Sequence, residues 1–195
     1  MLDSFFKGSY LIGLIAGSVV RTWYGKKYKQ SRIKGGYKEG PAVWLLMSLW
    51  GVAQLMGLLY VLTSWLDFAD YKLPIWAGGG GVAIFAVALW LLWRSHADLS
   101  RNWSPTLEIR QGHSLITHGV YRTIRHPMYL AHWLWSIAQA LLLQNWIAGL
   151  AGLVVFVPLY LLRVPREEQM MLEQFGQEYR LYMNRTGRVI PRFQK

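Results

Sequence analysis

Two long stretches without a formal charge, Val43–Leu66 and Leu73–Trp93, restrict this chain more than any other feature. Each is close to the roughly 20 residues that cross a hydrocarbon core about 30 Å thick at about 1.5 Å rise per residue. Two shorter uncharged runs follow, Pro127–Gln144 and Trp146–Leu162, separated only by Asn145. A helix of about 17 residues reaches roughly 25 Å, so this pair is expected as a tight helical hairpin whose arms fall short of a full crossing. The run Gly8–Val20 is shorter again. Basic residues follow it instead of preceding it, and no small-residue cleavage site accompanies it, so it is expected as a retained first span.

The charges lie between these runs. The chain carries 21 Lys and Arg against 10 Asp and Glu, a net charge of +11. An excess of that size is compatible with nucleic-acid binding, but its placement argues against such a partner. The first loop holds Arg21, Lys26, Lys27, Lys29, Arg32, Lys34 and Lys38 against Glu39, and the second only Asp67, Asp70 and Lys72. The third holds Arg94, Arg101, Arg110, Arg122 and Arg125 against Asp98 and Glu108. The Gln144-Asn145 turn is uncharged, and the tail is basic again. Positive charge in alternate loops predicts the N-terminus outside, with loops one and three and the tail in the cytoplasm, across about five spans. Attraction to anionic lipid accounts for the remaining excess. Tyr24, Tyr60, Trp65, Tyr71, Trp76 and Trp93 fall near span ends, as an aromatic belt requires. Gly13-x-x-x-Gly17 and Gly78–Gly81 sit inside apolar runs. No strand precedes the glycine run and no Lys-Ser/Thr follows it, so it is expected to serve close helix packing, not phosphate binding.

The expected fold class is therefore an all-α integral membrane protein, residues 1–195 forming one membrane domain. Residues 1–94 supply three spanning helices. Residues 95–195 supply a polar cytoplasmic loop, the hairpin and a C-terminal interfacial helix. "EIRQGHSLITHG" in the loop predicts a short extended pair turning at Gly112. Leu172, Phe175, Tyr179 and Tyr182 recur at three and four residues, with Glu173, Gln177 and Arg180 on the other face, which describes an amphipathic helix lying along the membrane surface.

Two groups of residues could carry chemistry. In "GVYRTIRHPMYLAHWLW", Pro127 suits the first position of a helix, and His126 before it is pushed to an extended backbone just outside. A ligand there feels the positive end of the helix, with Arg125 adding attraction for an anion. The alternative is that Arg122 and Arg125 only anchor the helix to head groups. In the second group, Arg163 and Glu167 stand four apart, with Glu168 adjacent and Pro165 between, where a kink or a break and restart is expected. They form either an i,i+4 ion pair at a helix start or part of a site, since charge at membrane depth marks function. The chain has no Cys, H-E-x-x-H, G-x-S-x-G or strand–G-x-G-x-x-G–helix unit, and no metal is expected. The absence of the last unit makes a Rossmann-type site for a dinucleotide or methyl donor unexpected.

"GHSLITHGVYRTIRHPMYLAHWLW", followed after the hairpin by "RVPREEQMMLEQFGQEYRLYMNRTGRVIPRF", resembles the isoprenylcysteine carboxyl methyltransferase family. That family combines R-H-P-x-Y, an apolar hairpin, a Glu-Glu pair and an F-G-x-x-Y-x-x-Y helix. The likeness spans about residues 107–193. It extends more distantly to phospholipid methyltransferases and membrane sterol reductases that use NADPH, which stand as alternatives. The resemblance implies a non-Rossmann fold that binds S-adenosylmethionine in the C-terminal half. The implied cofactor contacts are Gln111, His113, His118, Gly119, Val120, Tyr121, His126, Tyr129, Ala131, His132, Trp133, Leu134 and Glu167. Ala131 stands where many members have glycine. Arg163 would face the methyl acceptor, a lipid-modified cysteine entering from the bilayer, and orient its carboxylate. Glu167 would hold the cationic donor and His126 the donor's own carboxylate. S-adenosylhomocysteine is the implied product.

Overall fold

Each apolar run becomes a helix. The computed structural model describes residues 2–27, 33–36, 39–103, 108–110 and 114–193. Among these, five long helices form a bundle: α1 (Leu2–Lys27), α2 (Pro41–Leu62), α3 (Ile75–Leu99), α4 (Pro127–Leu143) and α5 (Ala151–Phe175). A short α6 (Gln177–Arg185) follows. Helices α2 and α3 are long and apolar enough to cross a membrane, with mean hydropathies of 1.8 and 2.0 over their most apolar stretches. Only 22% and 39% of those stretches are buried, so much of their apolar surface faces outward. Ile12, Ile15, Leu45, Leu55, Trp90, Val154 and Leu161 are likewise exposed. An apolar exterior of this extent suits an apolar surround.

Helix seating depends on rings entering notches. A Cβ on Gly13 would lie 2.1 Å from the Phe85 ring, and one on Gly17 would lie 2.3 Å from that of Trp135. Gly78 and Gly57 make the same room for Phe6 and Tyr10, while Gly79 and Gly80 meet nothing. Small residues let helices approach closely where apolar burial alone gives little drive. The core built this way joins Tyr10, Phe85, Ala131, Trp135 and Leu142. A second cluster of Val43, Phe156 and Leu159 packs α2 on α5.

The two ends of the bundle differ. At one end, the loop after α2 is stitched to the turn between α4 and α5. Asn145 donates to the Leu66 carbonyl (2.7 Å) and Asp70 Oδ1 (2.8 Å), and its own Oδ1 accepts from the Ile147 and Ala148 amides. The Tyr71 amide donates to the Gln144 carbonyl at 2.8 Å, and the Trp146 amide to that of Ala69 at 2.9 Å. At the other end, β1 (Ile33–Gly36), between α1 and α2, pairs antiparallel with β2 (Glu108–Arg110), between α3 and α4. Successive connections therefore alternate between the ends.

Three expectations need correcting. The extended segment from Glu108 pairs with β1, and the expected turn at Gly112 lies outside the described residues. Residues 114–118 form no strand, and the hydrogen bonds that a hairpin would have used on β2 go to a distant loop. Pro165 does not break the helix. It sits inside α5, together with Pro158, and is exposed, so the missing amide costs one bond without obstructing the packed face. The break comes at Gly176, whose φ of +53° suits glycine, and it divides the expected amphipathic helix between α5 and α6. Finally, Tyr24 and Tyr60 are buried. Trp65 and Trp76 are strongly exposed, and Trp93 less so.

Candidate functional site

A cavity opens at the ribbon end, where α6 and the segment before α4 gather over the bundle. Its wall takes Arg21 from α1, Met47 and Trp50 from α2, and Asn102 and Trp103 after α3. Ser114, Leu115, Ile116 and Tyr121 follow, then His126 and Met128, Tyr129 and His132 of α4. Phe156, Leu159, Arg163, Glu167, Met170 and Met171 come from α5, and Tyr179 and Tyr182 from α6. Aromatic, thioether and charged groups thus share one wall.

The charged side is organised by two adjacent glutamates with different surroundings. Glu168 is buried, accepting from Arg125 Nε at 3.1 Å and Arg188 Nε at 3.2 Å, with His126 Nε2 at 3.3 Å. Arg125 also donates through Nη1 to the Met183 carbonyl at 2.9 Å and to that of Thr186, so its cation meets the open carbonyls at the end of α6. The backbone agrees: the Arg125 and His126 amides donate to the Gly187 and Arg188 carbonyls at 2.8 and 2.9 Å. The tail is thereby tied to the start of α4. Glu167, on the next helical position, turns to the cavity. Its Oε2 accepts from the Tyr129 hydroxyl at 3.0 Å, and its Oε1 lies 3.6 Å from His126 Nδ1.

These neighbours set the protonation states, in a part of α5 that lies beyond the apolar run ending at Leu162. Burial works against the charged imidazolium of His126, but hydrogen bonds to Glu167 and Glu168 outweigh it and raise the pKa. Burial also opposes ionisation of Glu168, yet His126, Arg188 and Arg125 hold its carboxyl down at about 2. Glu167 is lowered as well, burial being overcome by His126, Arg163 and Tyr129. A carboxylate held toward its ionised form therefore faces the cavity beside an imidazole whose protonated form is favoured.

Arg163 also pairs with a residue distant in sequence. Its Nη2 lies 3.1 Å from Glu39 Oε1, and Nη1 is 3.9 Å from Met47 Sδ. Glu39 immediately precedes the Gly40 cap of α2, so this pairing joins the first loop to α5. Arg125 and His126, where an anion site was expected, both line the cavity, with their side chains engaged by the carboxylates and the α6 end. Arg122 remains exposed.

Of the residues expected at the site, Tyr121, His126, Tyr129, His132, Arg163 and Glu167 come together on the cavity wall. Gln111 and His113 lie outside the described residues. His118, Gly119 and Val120 do not line the cavity. Gly119 has φ +60°, and a Cβ there would lie 2.1 Å from Asp98 Oδ2. The Val120 amide donates to Asp98 Oδ2 at 2.9 Å, so these residues shape the turn carrying Tyr121. Ala131 is buried in the helix core, Leu134 packs against that core, and Trp133 stacks edge-on with Phe156 and Tyr160. Sequence reasoning missed Arg21, Glu39, Arg188, Trp50 and Tyr182 as contributors. The only signal for Glu39 was its standing alone among the cations of the first loop.

The sequence profile of the isoprenylcysteine carboxyl methyltransferase family matches residues 81–173. Among similar proteins, protein-S-isoprenylcysteine O-methyltransferase A of Arabidopsis thaliana is 28% identical over 149 residues, covering 75% of this chain and 76% of that protein. The B protein of the same plant is 27% identical over 161 residues, covering 82% of each. The protein-S-isoprenylcysteine O-methyltransferase of Homo sapiens is 27% identical over 139 residues, covering 67% of this chain and 49% of its own length.

Proposed function

We infer that this chain is a member of the isoprenylcysteine carboxyl methyltransferase family and, from that premise, a membrane methyltransferase. The donor is S-adenosylmethionine and the acceptor is the C-terminal carboxylate of a prenylated cysteine. The observation that carries the reading is the juxtaposition of an ionised Glu167 with the Arg163 guanidinium in one cavity, bordered by aromatic rings. The phospholipid-amine and sterol-reductase alternatives are not supported by the relatives named above. A wall bearing Arg21 and Arg163 also repels a protonated amine.

The donor set fits the cofactor. Glu167 offers negative charge to a cation, the rings of Tyr121, Tyr129 and Trp103 offer flat faces, and Asn102 and Ser114 offer polar atoms. When bound, S-adenosylmethionine supplies a methyl group activated by a sulfonium. The residues of this chain perform the rest. Tyr129 and His126 hold Glu167 ionised and aimed inward. Arg163 receives and orients the acceptor carboxylate, which needs no general base because it is already ionised. Trp50, Phe156 and Met170 keep water out, so opposite charges meet with little screening.

The same reading assigns five spans and one membrane domain, with the N-terminus outside and the cavity facing the cytoplasm. It is supported by the alternation of connections between the two ends and by the basic residues of the first and third loops. The prenyl chain enters sideways between helices, and the donor enters from the aqueous side. Radiolabelled methyl transfer to N-acetyl farnesylcysteine by the purified chain tests the assignment. Base-labile ester formation is expected, and its absence with active detergent-solubilised protein rejects it.

A further inference from the structure

Arg21 carries a charge that the site as assigned above leaves unused. It continues the inward stripe of α1, following Phe6, Tyr10, Gly13 and Gly17 at helical spacing and preceding Tyr24. Because the rings of Phe85 and Trp135 occupy the Gly13 and Gly17 notches, the rotation of α1 is set and Arg21 points inward. It lines the same cavity as Arg163 and lies within its electrostatic reach. Among the described residues, no carboxylate or hydrogen-bond acceptor pairs with Arg21. Glu39 stands against Arg163 at 3.1 Å and is not part of the cavity wall, its side chain only 2% exposed and neither oxygen in a hydrogen bond.

We propose that Arg21 is a second acceptor-binding residue that shares the substrate carboxylate with Arg163. This rests on the function inferred above and extends it from the C-terminal half to the first helix. Two cations sharing a poorly hydrated wall repel each other, and a carboxylate between them relieves the repulsion with charge-assisted hydrogen bonds. The methyl ester product has no charge to offer. Arg21 therefore makes the site discriminate the acid from its own ester, favouring release after transfer.

The test compares N-acetyl farnesylcysteine with its methyl ester on the full chain in detergent. Arg21→Gln is expected to raise KM for the acid at least tenfold. The inhibition constant of the ester and the Kd of S-adenosylhomocysteine should each stay within about twofold. Arg21→Lys, which keeps the charge but loses the planar fork, should raise the acid KM by a few-fold and leave the ester unchanged; it carries the same comparison should the glutamine variant not fold. An unchanged acid KM, or equal weakening of acid and ester, overturns the assignment. Wild-type protein that fails to methylate the acid overturns the function reading and this inference with it. Wild-type activity with an indifferent Arg21→Gln variant overturns this inference alone.

Discussion

The two ends of the bundle are built from the same five helices but treat polarity in opposite ways. At the end around Asn145, polar groups are spent on one another: one side chain makes four hydrogen bonds. At the other end, Glu168 is enclosed by Arg125, His126 and Arg188, while Glu167 and Arg21 are left facing open space. The difference teaches that a membrane helix bundle can satisfy its charges almost completely, so charge turned toward a cavity indicates a ligand of complementary sign.

The comparison breaks most visibly at Arg163. Arg163→Ala is expected to lower turnover about a thousandfold, roughly 4 kcal/mol of lost orientation, while S-adenosylhomocysteine affinity changes less than threefold. Loss of both in steady-state kinetics and calorimetry would show that the open end does not divide acceptor from donor. Asn145→Ala strikes the closed end. It leaves buried amides and the Asp70 carboxylate without partners, which should cost about 2–3 kcal/mol and lower the Tm by several degrees. Activity per folded molecule should be retained at low temperature, and a changed KM would show that the ends are not independent. Glu167→Gln should weaken S-adenosylmethionine about tenfold and S-adenosylhomocysteine less, because the latter lacks the sulfonium charge; equal effects in a titration would reject the role given to the carboxylate.

The smallest effect sharpens the contrast through pH. The carboxyl of Glu168 is lower in the folded protein than in the unfolded chain, so its contribution is complete above about pH 4.5 and disappears as pH falls toward 2. His126 is raised, so its contribution is complete below about pH 6.5 and is lost as pH climbs through its folded value. Stability measured against pH should therefore fall away on both sides, and Glu168→Gln should flatten the acid limb. An acid limb that persists unchanged in that variant would place the titration elsewhere.

Much of this was legible in the chain. Uncharged runs marked the helices, Pro127 marked the start of α4, and the alternation of charge marked which loops share an end. Gly13 and Gly17 announced close packing. What could not be read was pairing across distance. Nothing in local periodicity says that Glu39 will meet Arg163, that the Gly187–Arg188 backbone will lie against Arg125 and His126, or that β2 will choose β1. Those partners are settled by how helices far apart in sequence are juxtaposed, and periodicity reports only which face is apolar. Pro165 misled for a related reason. A proline signals a lost backbone bond, whereas continuity through it depends on whether its ring meets a neighbour or open space.

The seating of aromatic rings in glycine notches along α1 has a mechanical consequence. A helix indexed by discrete sockets cannot slide smoothly along its axis, because any small displacement drives a ring into backbone. In a bilayer of unsuitable thickness, α1 would not shift like a piston to follow the lipid. The lipid, or the tilt of all five helices together, would have to yield at fractions of a kcal/mol per ångström. Outward residues such as Ile12 and Ile15 are thus free to vary with the surrounding membrane, while the depth at which this first helix delivers its guanidinium stays constant.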